Sequence, residues 1–171
     1  MAANIELKAK LTNPDSAHAV AEALSGHPPE ILHQTDSFFA CPDGRLKLRV
    51  LDDAHGELIL YQRPDHDGPR RSNYQIAPTT APYILLEILK KVLGYRGTVK
   101  KVRSLYLVGQ TRVHIDQVEG LGEFLEIEVV LKNGQSDAEG TQIAETLAAE
   151  FAIEESDLVR VAYIDLLEPA P

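Results

Sequence analysis

Charged and apolar residues alternate at period two in several stretches of this chain. Asn4-Ile5-Glu6-Leu7-Lys8 is the first, and Arg45-Leu46-Lys47-Leu48-Arg49 follows. Lys101-Val102-Arg103, Arg112-Val113-His114-Ile115-Asp116 and Glu126-Ile127-Glu128 repeat the pattern. Successive strand residues point to opposite faces, so within each stretch the charges share one face and the aliphatics the other. Residues 3–11 read as a strand. Asn13 as cap and Pro14 at the first helical position then open a helix with Ala17, Val20, Ala21 and Leu24 as its apolar stripe, closed by Gly26. Strands are predicted over 32–40, 45–52, 57–63 and 72–76, with turns at Pro42-Asp43-Gly44 and His55-Gly56. A helix runs from Pro82 to Leu93, ended by Gly94. Residues 97–108, 111–118 and 123–132 read as a meander turning at Gly109 and at Gly120-Leu121-Gly122. Ser136 and Glu139 form a capping box for a helix to about Phe151, and a short helix is expected near Ser156.

The order is strand, helix, four strands, helix, three strands, helices. Eight strands with mostly hairpin links predict an α+β fold with an antiparallel sheet, enough to close a β-barrel around a small ligand. In barrels that carry apolar cargo the lumen is apolar. Here the alternating charges predict a polar one.

Composition narrows the setting. A chain of 171 residues is expected to form one domain, 1–171, and its charged fraction of 25% is ordinary. The net charge of −9 argues against a general nucleic-acid surface. Most basic residues nevertheless lie between Arg45 and Arg112, which points to one specific anion rather than diffuse attraction. The single Cys41, before a turn, has no partner for an internal disulfide. Charges at Glu6 and Lys8 leave no apolar leader, and no apolar run is long enough to span a bilayer. A cytoplasmic protein without membrane or nucleic-acid partners is expected.

The candidate chemistry follows from the shared faces. Arg45, Lys47 and Arg49 lie together on one strand, and Arg63, Lys101, Arg103 and Arg112 can join them from others. Several fixed cations suit a polyphosphate, because a guanidinium can bind two oxygens at once. A merely solvated basic face would not need apolar residues on the opposite side of strand after strand. Glu6, Asp116, Glu126 and Glu128 could face these cations, and carboxylates are the usual ligands of hard divalent ions that accompany phosphate. Internal salt bridges alone would leave many buried ions at high cost. His114 shares the face of Arg112 and Asp116 and reads as a lumen-lining group or a general acid/base. His18, His27, His33, His55 and His66 show no zinc spacing. There is no P-loop and no dinucleotide fingerprint, so phosphate must be held by strand side chains.

On these residues the chain resembles the CYTH superfamily, the triphosphate tunnel metalloenzymes. That superfamily includes class IV adenylyl cyclases, thiamine triphosphatases and inorganic triphosphatases. The matching segments are Asn4 to Lys8, Gln34 to Phe39, Gly44 to Arg49, Leu58 to Pro64, Lys101 to Tyr106 and Asp116 to Glu128. The family signature begins Glu-x-Glu-x-Lys; Asn4 replaces its first acid, while Glu6 and Lys8 match. The resemblance implies an eight-stranded tunnel in which Lys8, Lys47, Arg49, Arg63, Ser72, Lys101, Arg103 and Arg112 hold a triphosphate. It implies Mg²⁺ or Mn²⁺ on Glu6, Asp116, Glu126 and Glu128, with Lys8 and Asp116 acting at the reacting group. It also implies tripolyphosphate, thiamine triphosphate or ATP as the small-molecule partner, and a homodimer. The acid pair Glu126 and Glu128 suggests triphosphate hydrolysis. Leu93-Gly94-Tyr95 and Arg103 to Gly109 look closer to the cyclases, and uncharged Asn4 suits a non-catalytic binder.

Overall fold

The alternation is realised as an inverted barrel, with its charges inside and its aliphatics outside. The structure is a computed structural model and describes residues 2–168. Its strands are β1 (Ala2–Lys10), β2 (Glu30–Phe39), β3 (Arg45–Val50), β4 (Gly56–Gln62), β5 (Arg70–Thr79), β6 (Tyr95–Val108), β7 (Thr111–Val118) and β8 (Gly122–Val130). They close in the order β1-β5-β4-β3-β2-β6-β7-β8, each pair antiparallel. Closure leaves no free sheet edge.

The helices cover the outer, apolar face. Helices α1 (Pro14–Ser25) and α3 (Asp137–Glu150) bury Ala17, Ala21, Ala144, Leu147 and Ala148 against Ile5, Leu7, Val113, Ile115, Leu125, Ile127 and Val129. Each large aliphatic side chain buried this way contributes about 1.5–3 kcal/mol. The predicted caps are present: Asn13 accepts from the Ser16 amide, and Ser136 and Glu139 cap α3 reciprocally. Helix α2 (Pro82–Val92) sets Leu89 against Phe39 and Leu48. No helix among the described residues is long and apolar enough to cross a membrane.

The two ends of the barrel differ. After a 3₁₀ turn at Glu155–Asp157, the chain runs back across one end and finishes in α4 (Tyr163–Leu167). Val159 donates its amide to the Lys8 carbonyl, and Ala162, Tyr163 and Ile164 pack on Phe38, Val99, Val118 and Phe124. That end is closed. The opposite end gathers the starts of β1, β2, β4 and β7 and the ends of the other four strands. It is open, with Leu51 and Ile76 at its rim 42% and 46% exposed.

Most strand ends shift by one or two residues, and two elements depart further from the sequence expectation. Strand β5 begins at Arg70 and ends at Thr79, longer than predicted. The short helix near Ser156 is only the 3₁₀ turn, and α4 lies further on.

Candidate active site

The lumen is a cavity of about 380 Å³ lined from all eight strands and from α4. Seven cationic side chains face it: Lys8, Lys47, Arg49, Arg63, Lys101, Arg103 and Arg112. Five carboxylates accompany them: Glu6, Asp36, Glu57, Glu126 and Glu128. The cations are in excess, which suits a metal-bound triphosphate of small net negative charge. Ser72 also lines the cavity. The eight residues expected to hold phosphate therefore share one lumen.

Each cation is held by a specific partner. Arg49 forms a two-pronged pair with Asp36, Nε to Oδ1 at 2.8 Å and Nη2 to Oδ2 at 2.9 Å, and Lys47 reaches the same carboxylate at 2.8 Å. Despite burial, the Arg49 and Lys47 charges hold the Asp36 carboxyl well below the ordinary carboxylate range. Lys8 Nζ lies 3.3 Å from Glu126, donates to the Val161 carbonyl at 3.2 Å and stands 3.9 Å above the Tyr163 ring. Burial brings Lys8 down to about 8 against the support of Glu126, and burial with the neighbouring Arg49 does the same to Lys47. Arg63 pairs with Glu6 and keeps its buried Nε and Nη2 without a hydrogen-bond partner. Arg112 reaches Glu128 at 3.0 Å near the open mouth.

Asp116 departs from the expected metal-ligand set. It is fully buried inside the barrel toward the closed end, two residues beyond His114 on β7, and is absent from the cavity lining. Arg103 takes both of its oxygens, at 2.7 and 2.6 Å, while Lys101 and the Tyr163 hydroxyl crowd Oδ2 at 3.3 and 3.0 Å. A carboxylate so engaged orients Arg103 and Lys101. Arg45 also departs from its strand-mates: it pairs with Asp65 and Asp165 at 2.6 and 3.0 Å, outside the lining.

Glu126 and Glu128 lie two residues apart on β8, with His114 directly across from Glu126 on β7 and Glu6 directly across from Glu128 on β1. One donor atom from each of His114, Glu126 and Glu128 lies within 4.8 Å of the others. Burial, and then the Arg103 charge, keep the His114 imidazole below its ordinary value. Two carboxylates beside a buried, unpartnered ring nitrogen fit a divalent cation. Glu6, the remaining expected ligand, lines the same cavity but is engaged by Arg63, with Arg70 4.0 Å away.

Three contributors escaped the sequence reading. Asp36 sits in a strand of mixed residues, where one acid carries no periodic signal. Tyr163 and Arg70 serve the site through the closing segment. Arg70 donates to the His66 and Val159 carbonyls, and only the tertiary fold brings these together.

Comparison with known proteins agrees with this geometry. A CYTH domain model matches residues 2–163. Adenylate cyclase CyaB of Aeromonas hydrophila is 25% identical over 96% of this chain and 88% of its own length. A Methanocaldococcus jannaschii protein provisionally named an adenylate cyclase is 26% identical over 70% of this chain and 69% of its own. A solved structure from Pyrococcus horikoshii OT3 superposes with a TM-score of 0.84 at 24% identity, covering 95% of this chain and 98% of that one, and so shares the fold.

Proposed function

The chain belongs to the CYTH domain family, and on that premise we propose that it is a metal-dependent enzyme acting on a nucleoside triphosphate held along its lumen. The observation that carries this reading is the polarity of the tunnel. Lys8 and Lys101 stand over the Tyr163 ring at the closed end, at 3.9 and 5.1 Å. Glu128 pairs with Arg112, a partly exposed residue near the mouth. Leu32, Leu51, Tyr74, Ile76 and Leu105 line the open end. A triphosphate entering tail first would put its terminal phosphates among the deep lysines and its organic portion against the apolar rim.

In that pose Glu128 lies toward the α-phosphate, while Glu126, beside Lys8, lies nearer the terminal phosphates. On this reading the attack falls on the α-phosphorus, by the substrate's own ribose 3′-hydroxyl. The new bond joins the 3′-oxygen to the α-phosphorus, the bond to the bridging oxygen breaks, pyrophosphate leaves, and the hydroxyl proton passes to solvent. Cyclic AMP from ATP is the expected product, and the curated relatives named adenylate cyclase support the same reading.

Glu126 and Glu128 would hold Mg²⁺ or Mn²⁺, whose contribution when bound is Lewis-acid neutralisation of charge on phosphate oxygens. The chain's own residues do the rest by position and charge. Arg49 and Arg63 clamp the phosphate chain, and Lys8, Lys47 and Lys101 receive the charge that develops on departing pyrophosphate. Asp116 fixes Arg103 and Lys101 in place and acts through them.

Triphosphate hydrolysis is the second reading. Lys8 lies 3.3 Å from Glu126 at the deep end, where a water attacking the terminal phosphorus would be oriented. Phosphorus NMR of the reaction with ATP and Mn²⁺ separates the two. Pyrophosphate with cyclic AMP supports cyclisation, orthophosphate with ADP supports hydrolysis, and binding without either product defeats the enzymatic reading. Glu126→Gln is expected to lose metal-dependent turnover while retaining a wild-type circular dichroism spectrum.

A further inference from the structure

The acidic pair does not have an all-oxygen surrounding. His114 is 3% exposed, and its Nδ1 is a buried polar atom without a hydrogen-bond partner. A buried nitrogen left unpartnered is costly, and such atoms are rare in folded proteins. This one points at two carboxylate oxygens, 3.7 Å from Glu126 Oε2 and 3.8 Å from Glu128 Oε1. Both distances are too long for hydrogen bonds. Two ligands set at right angles around an ion at about 2.1 Å are roughly 3 Å apart, and opposed ligands roughly 4 Å. The observed spacings fall between those limits.

The surroundings keep the ring in place. His114 and Glu126 are direct cross-strand neighbours, as are Arg112 and Glu128. Arg112 takes Glu128 Oε2 and leaves Oε1 turned toward the imidazole. Glu126 is shared between Lys8 on Oε1 and Arg103 on Oε2. An incoming ion would therefore take over one of these oxygens as the freed cation turns to phosphate.

We propose that His114 Nδ1 is a direct ligand of the divalent ion beside Glu126 and Glu128, and that this nitrogen selects Mn²⁺ over Mg²⁺. The proposal rests on the metal-site reading given under the proposed function and refines it. Mg²⁺ demands oxygen ligands and holds its waters tightly, whereas imidazole suits first-row transition ions. One nitrogen among carboxylates penalises Mg²⁺ far more than Mn²⁺. His114 thereby sets ion specificity without taking part in proton transfer.

The test uses untagged full-length protein and Mn²⁺, alone and with a methylene-bridged inorganic triphosphate that is not cleaved and contains no nitrogen. Pulsed electron paramagnetic resonance reads nitrogen coupling to Mn²⁺, and competition titration reads the Mn²⁺ and Mg²⁺ affinities. The expected result is nitrogen coupling in the wild type and none in His114→Gln. Mn²⁺ affinity should fall about tenfold or more in that variant, with Mg²⁺ affinity unchanged or improved. Should His114→Gln fail to fold, the wild-type spectrum decides alone. Mn²⁺ bound without nitrogen coupling, or equal losses for both ions, overturns the role of His114 and leaves the carboxylate site standing. No Mn²⁺ bound under either condition overturns both.

Discussion

Asp36 shows how a single residue makes the lumen possible. Arg49 and Lys47 lie side by side on β3 and would repel each other, and one buried carboxylate binds both. Removing one member of a buried ion group leaves the others uncompensated, at about 3–5 kcal/mol. Asp36→Asn should therefore lower the melting temperature markedly, and a methylene-bridged triphosphate should restore more stability to the variant than to the wild type. Equal shifts from the ligand in both proteins would show that the two cations do not meet the anion. The deep lysines carry a second prediction. Burial lowers Lys8 and Lys47 to about 8 from 10.5, so above that pH the free protein loses their charge. A bound polyanion favours the charged forms and raises both. Binding just above pH 8 should then take up protons, and affinity should weaken as pH rises further. Calorimetry in buffers of different ionisation heat measures the uptake, and a value of zero would count against both lysines as phosphate ligands. The cations were legible in the sequence because alternation fixes the face of a charged residue. Asp36 and the engagement of Asp116 were not, since a lone acid gives no period and the partners of Asp116 include Tyr163 from the distant closing segment.

At the scale of elements, strands and capped helices follow from local chemistry, while the lid of the tunnel does not. Asn13-Pro14 and the Ser136 to Glu139 box specify helix starts within four residues. The five-residue α4 has no comparable signal, since its stability comes from Phe38, Val99 and Phe124, far away in sequence. Close helix packing is also invisible until the elements meet. Gly140 on α3 lies so near β1 that an added Cβ would sit 2.6 Å from Ile5 Cγ1 and 2.7 Å from Leu131 Cδ2. Gly140→Ala should destabilise the protein by about 1–3 kcal/mol through overpacking, despite the better helix propensity of alanine. Chemical denaturation measures this, and a neutral or stabilising result would mean that α3 stands further from the barrel.

For the molecule as a whole, the arrangement inverts the usual division of apolar inside and polar outside. The hydrophobic core lies between the outer barrel wall and its helices, and the lumen is left for ions. Alternation in sequence predicts both layers but not which end closes, and the polarity of the tunnel rests on that closure. Function therefore depends on one physical property, the joint binding of a triphosphate by the lumen cations. Calorimetric titration of Mn²⁺-loaded protein with a methylene-bridged triphosphate tests it most directly. One site per chain is predicted, weakened by about 1–3 kcal/mol in Arg49→Ala and unchanged in Arg71→Ala, whose outward side chain pairs with Asp137. No saturable binding, or equal affinity in the wild type and Arg49→Ala, would contradict it.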